Sequence, residues 1–166
     1  LKRIKRFKSY FASSNGGVTF SGGDPLRQPE FLLELLKRCK EEGIHTCLDT
    51  SGVGFGDYDE ILKYTDLVLY DVKHLTEEGY LDMTGSKINE TNNAADGFLK
   101  VGEKYMESLR RFVDSLDNVE KVELLPYHLL GVNKYENMKL KYRLDGVPEM
   151  DKDKCKELKD KFFSEY

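Results

Sequence analysis

The chain has 166 residues, 39% of them apolar and 34% charged, with a formal net charge of −4. That length fits one domain with a sizeable core, and the charge balance excludes a general nucleic-acid binder. No apolar run approaches the length that spans a bilayer, none reads as a secretory leader, and three dispersed cysteines (Cys39, Cys47, Cys155) point to a reducing, cytoplasmic setting without disulfides.

The chain starts at Leu1 within the basic run 2–8, which suggests a fragment of a longer protein. That run reads as the solvated face of a helix over about 3–11, ended by the turn formers of 13–16. Residues 18–21 are the first expected strand. Pro29 and Glu30 then open a helix whose apolar positions Phe31, Leu32, Leu35, Leu36 and Cys39 recur at helical spacing, and Gly43 ends it. Strand 45–48 follows, then a helix over 59–64 and strand 67–70. Residues 86–97 are polar. A long helix is expected over 99–116, with Val101, Tyr105, Leu109, Phe112, Val113 and Leu116 on one stripe. Residues 119–125 read as a fourth strand, 129–150 as irregular, and 151–163 as a closing amphipathic helix.

Near-continuous apolar strands joined by helices imply an α/β fold with a parallel sheet. Each of the first three strands ends in polar residues: Asp24 after the pair Gly22-Gly23, then Asp49 with Thr50, then Asp71 with Lys73. In a parallel sheet these ends share one edge, where α/β proteins place their ligands. The glycine pair lets backbone approach a ligand closely. Each residue also has a plainer reading. Asp24 suits a turn ahead of Pro25, and Asp49 serves equally as an Asx-turn residue. Asp71 and Lys73 form a plausible surface ion pair of small value. His45 and His74 read as packing and loop residues, whereas His128 follows a strand end and could face a partner. Cys39 and Cys47 read as small buried apolar residues, and Cys155 as a solvated or half-buried thiol. Tyr127, Tyr135 and Tyr142 suit a partner surface or ordinary packing.

The runs 16–26, 43–52, 65–74, 118–128 and 130–135 occur together, and in order, in a known family. With them the chain resembles the radical S-adenosylmethionine activating enzymes of glycyl-radical enzymes, most closely those of the pyruvate formate-lyase type. The resemblance covers about 5–88 and again about 105 to the end. It implies a partial, open (β/α) barrel of mostly parallel strands, one domain over 1–166. It also implies an oxidoreductase of anaerobic metabolism: an electron from a 4Fe-4S cluster cleaves S-adenosylmethionine, and the 5′-deoxyadenosyl radical takes a hydrogen from a backbone glycine of the partner enzyme. Reduced flavodoxin or ferredoxin is the implied electron donor. Carried over by motif, the cofactor falls on Gly22, Gly23 and Asp24, where the family's usual Glu is one methylene longer, and on Asp71, Val72 and Lys73. A monovalent cation falls on Asp49, Thr50 and Asp71.

Two departures qualify the resemblance. The family's Cys-x-x-x-Cys-x-x-Cys run, whose thiolates hold the cluster, does not occur in this sequence. A strand with an Arg-His segment before the long helix is replaced by the polar stretch 89–100, as if one β-α step were deleted. No residue of this chain is thus expected to ligate iron, and the chain alone is expected to be inactive. The alternatives are a non-catalytic S-adenosylmethionine- or peptide-binding remnant, and a gene fragment without function.

Overall fold

The structure is a computed structural model, and it describes residues 1–76, 78–80, 103–142 and 144–166. The expected polar stretch 86–97, the deletion near 89–100 and the start of the long helix lie outside the described residues. Two compact units divide the chain at Leu1–His74 and Leu75–Tyr166.

The first unit carries the sheet. Helices α1 (Lys2–Lys5) and α2 (Lys8–Ser14) stand where one helix was expected. The amides of Arg6 and Phe7 bond to carbonyls three residues back, and Phe7 leaves the helical region. Five cations lie within residues 2–8, of which Lys5 and Lys8 both pair with Glu42. Strand β1 (Gly17–Phe20) runs into a 3₁₀ turn (Pro25–Arg27) and helix α3 (Pro29–Glu41). Pro29 occupies the first turn, where its missing N–H costs nothing, and Arg38 and Lys40 face the negative end of the helix dipole. Gly43, at φ +63°, closes α3. Its amide reaches Lys40 O at 2.9 Å and the Ile44 amide reaches Cys39 O at 2.9 Å, the paired bonds of a Schellman cap. Strand β2 (His45–Thr50), helix α4 (Tyr58–Leu62, capped by the Asp57 carboxylate) and strand β3 (Leu67–Tyr70) complete the unit.

The three strands lie in the order β1-β2-β3, all parallel, with Gly17 opposite His45 and Cys47 opposite Leu67. This is the open α/β sheet that the sequence implied. Central β2 buries Thr46, Cys47, Leu48 and Thr50, as expected of a parallel strand covered on both faces. Leu26, Leu32, Leu36, Leu48 and Ile61 form the core under α3. Phe31 was expected on the inner stripe but is 63% exposed, and Leu33 packs against the core in its place. The start of β2 is tied to the start of β3 by side chains. Asp66 accepts from the Thr46 amide and hydroxyl and pairs with Lys40.

The second unit is helical: α5 (Glu103–Asp114), α6 (Val132–Asn137) and α7 (Lys152–Phe163). Helix α7 begins where expected, because the Asp151 carboxylate accepts from the amides of Asp153 and Lys154. Phe163 is fully buried and centres a core with Met106 and Val113. Residues 119–125 do not form the expected fourth strand; they pair with no strand among the described residues. Val119, Val122 and Leu124 pack against the helical core instead. Their spacing breaks the two-residue period of a sheet face, so apolar contact replaces the ladder. Cys155 is buried rather than half-solvated, its thiol 3.6 Å from Leu124 O. Leu116 falls beyond the end of α5 and is exposed. No helix among the described residues is long and apolar enough to cross a membrane.

Candidate functional site

Because all three strands run parallel, their carboxyl ends at Phe20, Thr50 and Tyr70 lie on one edge of the sheet. The loop after β1 climbs over that edge. Gly22 sits at φ +147°, a conformation side chains rarely adopt. A Cβ added at Gly22 or Gly23 would meet no atom of the described residues within 4 Å. The backbone of this pair therefore faces open space at the strand ends.

Asp24 turns the chain back into the 3₁₀ helix. One carboxylate oxygen accepts from the Leu26 amide at 3.0 Å, and Leu26 is buried in the core. The same carboxylate reaches across to the end of β2. It accepts from the Thr50 hydroxyl at 2.8 and 2.9 Å, from the Ser51 amide at 3.0 Å and from the Ser51 hydroxyl at 2.9 Å. Thr50 is 6% exposed, and its hydroxyl also accepts from the Gly52 amide at 3.0 Å. Hydrogen bonds to a charged acceptor are worth about 1.5–3 kcal/mol each when covered.

The neighbouring residues follow the same edge. The Ser21 hydroxyl donates to Asp49 at 2.7 Å, which ties the end of β1 to the end of β2. The Asp71 amide donates to Thr50 O at 2.9 Å, and the Asp71 carboxylate pairs with Lys73. That pair is about 40% exposed, so it adds little stability by itself. Beyond β2, Gly52 backs onto the Tyr70 ring: a Cβ there would stand 2.8 Å from it. Gly54 backs onto Leu26, and the Phe55 amide donates to Leu26 O at 2.7 Å.

The structure thus brings Gly22, Gly23, Asp24, Asp49, Thr50, Asp71, Val72 and Lys73 to one edge. Ser21 and Ser51 were not singled out from the sequence; the only signal was a hydroxyl next to a strand-end carboxylate. His45 is exposed at the opposite end of β2, and His74 directly follows Lys73 in the chain. Within the second unit, His128 Nδ1 accepts from the Leu130 amide at 3.3 Å. Tyr127 and Tyr142 share a 2.7 Å hydroxyl contact, with the Tyr135 ring edge-on to Tyr142 at 5.0 Å. Cys39, Cys47 and Cys155 are all buried and free. Burial pushes the thiols of Cys39 and Cys155 above the ordinary range. Among the described residues no group of three His, Cys, Asp or Glu side chains could hold a metal ion.

Comparison with known proteins shows the family. The model of the radical SAM superfamily matches residues 1–139. The pyruvate formate-lyase-activating enzyme of Clostridium pasteurianum is 48% identical over 178 residues, which take in 95% of this chain and 73% of that protein. The enzyme of the same name from Staphylococcus epidermidis is 36% identical over 95% of this chain and 72% of its own length. A crystal structure of a domain of pyruvate-formate lyase-activating enzyme from Bacteroides vulgatus is 30% identical, covering 60% of this chain and 54% of its own, at a TM-score of 0.38. The chain belongs to the radical SAM superfamily and, within it, to the family of the pyruvate formate-lyase-activating enzymes.

Proposed function

We propose that the protein acts in the activation of a glycyl-radical enzyme of the pyruvate formate-lyase type, through radical S-adenosylmethionine chemistry. The observation that carries this reading is the 48% identity to such an activating enzyme over 95% of the chain. When bound, S-adenosylmethionine supplies the radical chemistry that removes a hydrogen atom from a glycine of the partner.

The chain's own residues suit the cofactor. The open backbone at Gly22-Gly23 leaves room for its methionyl end, since no atom of the described residues lies within 4 Å of where side chains would project. Main-chain carbonyls of this loop can accept from the ammonium group. The Asp71–Lys73 pair at the end of β3 offers a cation for the carboxylate. An iron–sulfur cluster, in contrast, does not fit the residues present. The three thiols are dispersed in sequence and buried, and burial disfavours the thiolate of Cys39 and Cys155 that iron ligation needs.

Calorimetric titration with S-adenosylmethionine tests the cofactor half without a cluster. Saturable one-to-one binding is expected, weakened at least tenfold by Gly23→Val, whose Cβ enters the open space. No binding by the wild-type protein sinks the reading. Titration with purified pyruvate formate-lyase tests the partner half in the same way.

A further inference from the structure

Resting on that reading, we infer that Asp24 is a positioning residue, which sets the Gly22-Gly23 loop by clamping it to Thr50 and Ser51 rather than by touching the cofactor. The resemblance alone puts the Asp24 carboxylate on the cofactor's ammonium. The geometry gives it other work. Four separate donors converge on its two oxygens: the Leu26 amide, the Thr50 hydroxyl, and the Ser51 amide and hydroxyl, all within 3.0 Å. Two carboxylate oxygens offer about four lone-pair directions in all. The group is therefore saturated from within the fold.

What the clamp holds is the approach surface itself. Asp24 directly follows Gly23, and its partners lie 26 and 27 residues further along the chain. Thr50 is buried, so its hydroxyl is fixed before any ligand arrives. The Gly52 amide on that hydroxyl fixes its rotation as well. The end of the loop is thus held by this network in the ligand-free protein, which lowers the ordering cost of binding. The shorter Asp, in place of Glu, is the length that reaches sideways to Thr50 while still capping the 3₁₀ turn at Leu26.

The test compares Asp24→Asn, Thr50→Val with Ser51→Ala, and the three together, in S-adenosylmethionine affinity and in amide exchange of the ligand-free protein. A clamp predicts that Asp24→Asn and the Thr50/Ser51 double variant each weaken binding about tenfold, the usual order for a supporting shell. Adding Asp24→Asn to the double variant then costs less than threefold. Thr50→Ser, which keeps the hydroxyl, restores wild-type affinity. Exchange at Leu26 and Ser51 speeds up in Asp24→Asn without ligand. A full tenfold loss when Asp24→Asn is added to the double variant means direct contact and overturns the inference, as does unchanged affinity in Thr50→Val. Wild-type protein that binds no S-adenosylmethionine defeats the cofactor reading itself, and the inference falls with it. If Asp24→Asn fails to fold, Thr50→Val against Thr50→Ser decides alone, because both leave the carboxylate in place.

Discussion

Gly54→Ala puts one methyl group against the anchor of the candidate site. The new Cβ would lie 2.5 Å from the Leu26 carbonyl carbon, whereas carbon atoms in contact sit about 3.5–4.0 Å apart. The Leu26 Cβ is closer still, so the gap must open by more than about 1 Å, and Leu26 cannot yield easily because it is 4% exposed and packed with Leu32, Leu36, Leu48 and Ile61. Overpacking of this kind costs about 1–3 kcal/mol. The Phe55–Leu26 hydrogen bond bridges the same gap and adds about 1 kcal/mol if it is lost. Reduced freedom of the unfolded chain returns about 0.4–1 kcal/mol. The net loss is about 1–3.6 kcal/mol, or a fall in Tm of roughly 2–14 °C for a chain of this length. Gly23→Ala is the control: the same methyl in open space, expected at wild-type stability or up to about 1 kcal/mol above it. Urea unfolding followed by circular dichroism measures both, with the slopes compared to exclude a change in the unfolded state. Gly54→Ala as stable as Gly23→Ala would refute the claim that the segment after β2 is tied rigidly to the 3₁₀ turn.

Other expectations follow from single features. Leu36→Ala, at a fully buried position, should cost about 2–5 kcal/mol, and Phe31→Ala on the exposed side of the same helix under about 0.5; equal losses in urea unfolding would contradict the assigned helix face. Burial pushes the Asp66 carboxyl up, but the Lys40 ammonium and the amide and hydroxyl of Thr46 outweigh it and hold the carboxyl below its usual range. The folded protein then binds this proton more weakly than the unfolded chain. Its stabilisation is complete above the unfolded carboxyl range and fades as pH falls through the folded value. Asp66→Asn should flatten the acid limb of the stability curve, and an unchanged limb would count against the network. Burial, and then the hydrogen bond that the Tyr142 hydroxyl donates to Tyr127, push the Tyr142 phenol up to about 12. Stability from that pair is present below the unfolded phenol range and lost as pH rises towards 12; ultraviolet titration of Tyr127→Phe should show Tyr142 ionising earlier. Reconstituted anaerobically with iron and sulfide, the chain should take up no four-iron cluster. Stoichiometric iron and sulfide, lost in Cys47→Ser, would show that these thiols do come together.

The strands and their polar ends are legible in the sequence because two local signals coincide there. Runs 45–50 and 67–70 carry β-prone residues and end in polar ones; β2 is buried, whereas Val68, Leu69 and Tyr70 of β3 stay exposed. The edge they share follows from parallel pairing alone. Residues 119–125 mislead because β-propensity reports extended backbone and says nothing of a partner strand; helices supply their apolar contacts instead. Phe31 misleads because periodicity marks a stripe wider than the surface α3 covers. The bonds from Asp24 to Thr50 and Ser51 could not be read at all. They join residues 26 and 27 positions apart, and only the register of β1 on β2 brings those residues within reach.

Strand order along the sheet is the same as strand order along the chain. Each new strand docks beside the one made just before it, at separations of 28 residues for Gly17 with His45 and 20 for Cys47 with Leu67. Closure entropy grows only with the logarithm of loop length, so the two pairings differ by about 0.3 kcal/mol in that cost. Neither pairing has to wait for a distant part of the chain. With β2 as the shared template, the edge that carries the Gly22-Gly23 loop can assemble during synthesis as soon as residue 50 is available, before the helical unit that follows has been made.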